Sequence, residues 1–308
     1  MAVDAPTKAL LDFMATLDLP RPETMQAADV RTLFAAPPER PPGPKLARVE
    51  DVTVAGAAGP LPARVYAKAT RDGLPVIVYF HGGGWVLGDL DGDDPACRQL
   101  AASSGAMVVS VNYRHAPEDR FPAASDDSLA ATVWLGEHAG DLGGDATRMM
   151  VAGWSAGGNL AAVTAQRVRD AGGPALRGQA LITPVTDYDP SRGSYQQNGE
   201  GYVLTAPFME WFWKQYEPQK RRRTNPSASP LRAKNLRDLP PALVLTAEHD
   251  PLRDEGEAYA AALAAAGNEV TMRRWLGQIH TVWGNWGVLD MSLAAQQWVA
   301  QFCRRVLA

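Results

Sequence analysis

Cysteine is scarce in this sequence: Cys97 and Cys303 are the only two in 308 residues, and no metal-ligand spacing relates them. A small scaffold stapled by several disulfides and a cysteine-based zinc site are therefore excluded. We expect two free, buried thiols in a reducing compartment, although a single long-range disulfide stays open.

Long apolar runs and an excess of positive charge are also missing. No stretch approaches the roughly 20 apolar residues of a membrane span, and charged residues interrupt the apolar N-terminus, which argues against a signal peptide. The formal net charge is −4, and the only basic cluster, Lys220–Arg223, is typical of a solvated surface loop. We therefore predict a cytoplasmic protein with no membrane anchor and no nucleic-acid partner.

The chain is 46% hydrophobic and long enough for one large domain with an elaboration. Short, continuous apolar runs indicate strands buried on both faces of a sheet, and helical stretches separate most of them. The predicted strands are 46–54, 61–67, 76–80, 107–111, 149–152, 180–183, 242–246 and 269–275. This alternation predicts an α/β fold with a mainly parallel central sheet of about eight strands, flanked by helices.

Two segments fall outside this alternation. Residues 1–45 contain two short apolar helices and a proline-rich stretch, and residues 188–232 contain the aromatic run 208–213. We interpret both as parts of one helical cap, because both apolar segments lie outside the alternation and apolar helix faces are rarely left exposed; ordinary core packing of the aromatic run is the alternative. The main domain then comprises residues 46–187 and 233–308.

The motif Gly153-Trp154-Ser155-Ala156-Gly157 lies between a predicted strand and a predicted helix. A serine on so sharp a turn has a strained backbone that only small neighbours tolerate, and its hydroxyl projects above the sheet edge. The free N–H groups at the start of the following helix point to the same place. This context predicts a nucleophile at Ser155.

A second motif, His81-Gly82-Gly83-Gly84-Trp85, follows the strand predicted over 76–80. Three successive glycines leave backbone N–H groups accessible, as the oxyanion of a tetrahedral intermediate requires. A tight turn would explain the glycines alone, but together with the serine turn they indicate an oxyanion hole.

A serine nucleophile needs a histidine base, and the base needs a carboxylate that orients it. Of five histidines His280 is favoured, because it follows the last predicted strand of the sheet and completes the chain order Ser, acid, His. Asp250 is the favoured acid, since it lies at the carboxyl end of a strand, and Glu248 is the alternative. The remaining histidines are less favoured, and His81 is expected to hold the shape of the glycine loop.

Together these motifs resemble the hormone-sensitive lipase family of α/β-hydrolases, in its bacterial branch. The resemblance covers nearly the whole chain and includes residues 113–118, 155–159 and 250–256. It implies a carboxylesterase with an α/β-hydrolase fold, a helical cap, and no metal or organic cofactor. The roles that it implies are nucleophile for Ser155, base for His280, orienting acid for Asp250, and oxyanion donors for Gly83, Gly84 and Ala156. A homodimer is left open, because members of this family often pair through an edge strand.

The predicted substrate is a small carboxylic ester with a short or medium acyl chain, because aromatic residues of the cap suggest an apolar pocket of limited depth. The residues expected to bind it are Trp85, Phe34, Tyr202, Phe208, Trp211 and Phe212. One alternative is an amide or carbamate hydrolase with the same triad, such as a formamidase-like enzyme. A remote alternative is a non-catalytic small-molecule receptor, although the related plant gibberellin receptors lack the histidine that is present here.

Three positions depart from the family pattern and leave substrate preference open. Trp154 stands where Asp or Thr is usual, Thr281 where Gly is expected, and His115 where Leu is common. We expect the first two side chains to pack together and to replace a polar contact near the triad with an apolar one. Independent drift at the two positions is the simpler alternative.

Overall fold

The computed structural model describes residues 2–17, 19–35, 41–284 and 289–308. Within these residues one sheet has the strand order β1-β2-β4-β3-β5-β6-β7-β8. The strands are β1 Arg48–Gly56, β2 Gly59–Ala67, β3 Leu74–Phe80, β4 Met107–Val111, β5 Gly144–Trp154, β6 Leu176–Ile182, β7 Ala242–His249 and β8 Val270–Ile279. The prediction of a sheet with about eight strands is confirmed.

In this sheet the strands from β4 to β8 are parallel, and β2 runs antiparallel to both of its neighbours, β1 and β4. The register pairs Phe80 with Gly153, and Gly153 with Leu181. Because parallel strands end at the same edge, the segments that follow β3, β5, β7 and β8 emerge side by side. This is the edge at which α/β proteins bind their ligands.

Helices cover both faces of the sheet. They are α1 Ala5–Ala15, α2 Ala27–Ala35, α3 Asp94–Ser104, α4 Ala123–His138, α5 Ala156–Ala171, α6 Gly193–Asn198, α7 Ala206–Tyr216, α8 Lys220–Arg223, α9 Arg253–Ala265 and α10 Asp290–Val306. Alternate residues of β3 face opposite sides: Val78 packs in the cluster of α4, α5 and α9, and Tyr79 in the cluster of α3 and α10. Cys97 and Cys303 are free, buried members of the second cluster, as predicted.

The segments predicted to form the cap contact each other through α7. The indole N–H of Trp211 donates to the carbonyl oxygen of Met25 at 3.1 Å, and Phe208 stacks with Phe34 at 6.1 Å between ring centroids. Residues 1, 18 and 36–40 of the predicted cap lie outside the described residues. The division of the chain into a main domain and a cap stays a prediction.

Arg31 of α2 binds this N-terminal segment to the loops that follow β3 and β4. Its guanidinium donates to the carbonyl oxygens of Val86 and Ala116 and forms a bidentate pair with Glu118. In the part of the chain that the structure describes, no helix is both long enough and apolar enough to cross a membrane.

Candidate active site

Ser155 occupies a sharp turn between β5 and α5, with φ 56° and ψ −121°. The glycines around it permit this turn, because a Cβ on Gly157 would lie 1.9 Å from the carbonyl oxygen of Phe80. A Cβ on Gly153 would lie 2.3 Å from the carbonyl oxygen of Gly157. We call this turn around Ser155 the elbow. Its strained backbone is tolerated because Gly153 and Gly157 have no side chains, so the elbow can pack directly against the end of β3.

The structure brings Ser155, His280 and Asp250 together. Nε2 of His280 lies 2.9 Å from the Ser155 hydroxyl oxygen, and Nδ1 lies 2.8 Å from Oδ2 of Asp250. All three residues are buried. Ser155 directly follows β5, Asp250 follows β7 and His280 follows β8. With its proton on Nδ1, the imidazole donates to the carboxylate and leaves the Nε2 lone pair free to accept the serine proton.

Asp250 is held in place by its own loop and by α6. Its Oδ1 accepts the N–H of Leu252 at 2.9 Å, and its carbonyl oxygen accepts the side-chain amide of Asn198 at 3.2 Å. The alternative acid, Glu248, instead accepts the N–H of Gly277 at 2.7 Å. Asn198 was not a predicted site residue, because its 52-residue separation from Asp250 leaves no sequence signal.

The glycine loop lies beside the elbow, since the carbonyl oxygens of Phe80 and His81 contact Gly157. Gly83 and Gly84 have φ values of 112° and 60°, which glycine adopts without steric cost. Among the backbone hydrogen bonds described for residues 41–284, none uses the N–H of either glycine as donor. Ala156 is the first residue of α5, so its N–H has no acceptor within the helix.

The histidines near the glycine loop support its shape. Nδ1 of His81 donates to the carbonyl oxygen of Gly82 at 2.8 Å, and the ring stacks on Tyr113 at 4.4 Å. The Tyr113 hydroxyl donates back to the carbonyl oxygen of His81 at 2.9 Å. Burial, with His81 and Arg31 nearby, lowers the pKa of His115 to about 3, which keeps that ring neutral at physiological pH.

The predicted substrate-binding residues occupy different positions. Phe208, Trp211 and Phe212 form a buried aromatic cluster on α7. A Cβ on Gly84 would lie 2.1 Å from the Phe212 ring, so this ring packs directly on the glycine loop.

The other three are spread around this cluster. Phe34 is exposed, and the Tyr202 hydroxyl lies 3.0 Å from Nδ1 of His249, next to Asp250 in the chain. Trp85 has a φ of 61°, is completely buried and stacks on Tyr216 at 4.2 Å between ring centroids. Its placement supports packing in the core and does not support the predicted contact with substrate.

Trp154 makes a polar contact that the sequence analysis did not predict. Its indole N–H donates to Oδ2 of Asp93 at 2.8 Å, so Trp154 has a polar partner, whereas its expected packing against Thr281 stays a prediction. Asp93 lies 61 residues away in the chain, and no motif marks it. Within the described residues, no group of three or more His, Cys, Asp or Glu side chains could hold a metal ion.

Comparisons with known proteins agree with this fold. A family model described as alpha/beta hydrolase fold matches residues 77–284. Esterase LipI of Mycobacterium tuberculosis is 44% identical over 267 residues, which cover 84% of this chain and 82% of that protein. Carboxylesterase NlhH of the same organism is 43% identical over 286 residues, which cover 90% and 88%.

Solved structures of esterases share the whole fold. A thermostable esterase from Pseudomonas putida ECU1011 has a TM-score of 0.93 and 38% identity, covering 100% of this chain and 98% of that one. A hyperthermophilic esterase from the archaeon Pyrobaculum calidifontis has a TM-score of 0.92 and 40% identity, covering 100% of both chains.

The chain belongs to the alpha/beta hydrolase fold family. The predicted resemblance to the hormone-sensitive lipase type of α/β-hydrolase and the prediction of a carboxylesterase are thereby confirmed.

Proposed function

We propose that this carboxylesterase cleaves esters with short to medium acyl chains through an acyl-enzyme, with Ser155, His280 and Asp250 as its catalytic triad. The supporting observation is the pair of contacts, 2.9 and 2.8 Å long, that links the three side chains. They are linked in the order that nucleophile, base and orienting acid require.

In the first step the Ser155 hydroxyl oxygen attacks the ester carbonyl carbon, and Nε2 of His280 takes the hydroxyl proton. Asp250 holds the imidazole in the required tautomer and stabilises the imidazolium that forms. As the tetrahedral intermediate collapses, the bond to the leaving alcohol breaks and His280 returns the proton to the alcohol oxygen. Water then attacks the acyl-enzyme with the same assistance and releases the carboxylic acid.

The negative charge of each tetrahedral intermediate develops on the former carbonyl oxygen. In our proposal this oxyanion accepts hydrogen bonds from the N–H groups of Gly83, Gly84 and Ala156. Each such donor contributes about 3 kcal/mol to the stabilisation of the transition state. The position of the glycine loop beside the elbow supports the assignment, because Gly157 contacts the loop backbone.

The preference for short and medium acyl chains is supported by the aromatic wall above the glycine loop. Phe212 packs on Gly84, and Phe208 lies 4.2 Å from Phe212 between ring centroids. An acyl chain bound beside the glycine loop would contact these rings within a few carbon atoms of the ester carbonyl. Long chains would therefore have to displace packed aromatic side chains.

The test is hydrolysis of p-nitrophenyl esters from acetate to palmitate by the wild type and by Ser155→Ala. We expect an optimum at short or medium chains and a loss of at least about 1,000-fold in the variant. Ser128→Ala is the matched control, because this buried serine donates only to its own helix, at the carbonyl oxygen of Ala124. The control should keep the wild-type rate.

Two results would change the proposal. Hydrolysis that survives in Ser155→Ala would remove the serine from the role of nucleophile. Serine-dependent turnover of amides or carbamates in preference to every ester would keep the triad and replace the substrate class.

A further inference from the structure

A hydrogen-bond chain lies behind the site and ends on the residue before the proposed nucleophile. Oδ2 of Asp93 accepts the indole N–H of Trp154 and the hydroxyl of Tyr79, each at 2.8 Å. The indole N–H of Trp283 donates in turn to the Tyr79 oxygen at 2.8 Å. Asp93 is only 7% exposed, so such donors compensate the carboxylate for the hydration that it loses on burial.

The Trp154 indole lies close to three parts of the site, namely the glycine loop, the segment after His280, and the His280 ring. A Cβ on Gly82 would lie 2.4 Å from the ring, so the indole packs on the first glycine of the loop. A Cβ on Gly284 would lie 3.4 Å from it, so the indole also lies against the segment that follows the proposed base. The centroids of the indole and of the His280 imidazole are 5.9 Å apart, with their planes inclined by 34°.

We propose that Trp154 is a positioning residue. Its ring, fixed by Asp93, holds the His280 imidazole and the glycine loop in position relative to Ser155. The inference rests on the proposed function. The hydrogen bond from the indole N–H to Oδ2 of Asp93, at 2.8 Å, is directional and therefore fixes the rotation of the indole. When His280 takes the serine proton, its positive charge forms within about 6 Å of an indole, where such a ring attracts a cation.

This role has a consequence that depends on the leaving group. His280 must return its proton to the departing oxygen, and an alkoxide requires that proton far more than p-nitrophenolate does, since p-nitrophenolate is a stable anion. A displaced imidazole therefore slows the cleavage of an alkyl ester more than that of a p-nitrophenyl ester. Loss of folded protein would lower both rates equally.

The experiment compares kcat/KM, which reports formation of the acyl-enzyme, for ethyl butyrate and p-nitrophenyl butyrate in the wild type and in Trp154→Leu. We expect kcat/KM for the ethyl ester to fall about tenfold more than kcat/KM for the p-nitrophenyl ester. The matched control is Trp298→Leu, because Trp298 is also partly buried but lies on α10, packed against Trp275. The control should leave the ratio of the two rates unchanged.

A conservative variant keeps the inference testable if Trp154→Leu does not fold. Trp154→Phe retains an aromatic ring but lacks the N–H that binds Asp93, and we expect it to restore part of the ethyl ester rate. Equal losses on both esters, in whichever Trp154 variant folds, would overturn the positioning role alone. Failure of the wild type to hydrolyse either ester would overturn the proposed function and this inference together.

Discussion

Glu255 is a buried carboxyl group that should make the folded protein less stable as the pH rises. Its Oε1 accepts the N–H groups of Thr186 at 2.8 Å and Asp187 at 3.3 Å. Its Oε2 is buried and has no hydrogen-bond partner among the described residues. The loss of hydration raises the pKa of Glu255 to about 8.

The size of the effect follows from this pKa and from the ordinary value for glutamate, about 4.3. Between these two values the folded protein keeps a proton that the unfolded chain has released. The free energy of unfolding therefore falls by about 1.4 kcal/mol for each pH unit. From pH 5 to pH 8 this single group lowers the free energy of unfolding by about 3–4 kcal/mol. Below about pH 4 the group is protonated in both states, so its contribution no longer changes with pH.

Glu255→Gln tests this reasoning, because the amide keeps an oxygen acceptor for the two N–H groups and has no titrating proton. Urea unfolding at pH 5 and pH 8 gives the free energy of unfolding of both proteins. The difference in free energy of unfolding, variant minus wild type, should increase by about 3–4 kcal/mol from pH 5 to pH 8. A difference that stays constant would mean that Glu255 is already ionised in the folded protein, and would refute the reasoning.

Glu118→Gln is the control for removing a carboxylate. The Arg31 guanidinium holds the pKa of Glu118 at about 2, so the group stays ionised in the folded protein over the whole range. The difference between this variant and the wild type should therefore be the same at pH 5 and pH 8.

Three further substitutions test the site and its surroundings. Phe212→Ala opens space above Gly84, so the ratio of kcat/KM for p-nitrophenyl octanoate to that for the butyrate should rise about tenfold; an unchanged ratio would separate this ring from the acyl pocket. Gly157→Ala forces a methyl group into the carbonyl oxygen of Phe80 and should lower stability by about 3 kcal/mol, measured by urea unfolding, whereas wild-type stability would contradict the tight contact. Arg31→Ala removes an ion pair and two contacts to carbonyl oxygens, so limited proteolysis should cut α2 faster than in the wild type, and equal rates would show that other contacts hold this helix.

Most of the sheet could be predicted because buried parallel strands have continuous apolar sequences. The runs 76–80 and 107–111 correspond closely to β3 and β4. Helix α3 has only a weak signal in the sequence, since its buried face consists mainly of small residues such as Ala96 and Ala101, which a helical pattern of large apolar side chains does not mark. The serine turn was predictable because glycine, serine and strand occur at adjacent positions in the chain.

The surroundings of the site could not be predicted, because they depend on contacts between distant residues. Trp85 follows the glycines in the sequence, yet its side chain packs in the core. Asp93 lies at the start of α3, so its contact with Trp154 depends on how α3 packs on the sheet. Local sequence patterns therefore identify the proposed catalytic residues, whereas tertiary packing decides which side chains surround them.

The separation of the site residues along the chain has a consequence for refolding. The Ser155 and His280 side chains that meet at 2.9 Å are 125 residues apart, and His280 follows β8, at the far edge of the sheet. In a partly folded molecule in which β8 has not yet paired with β7, Ser155 would be separated from His280, its proposed base. Contacts so distant in sequence close late, since the chain entropy lost in forming them is large. Recovered hydrolysis after dilution from denaturant would then report the docking of the final strand, and would lag behind the return of helical circular dichroism.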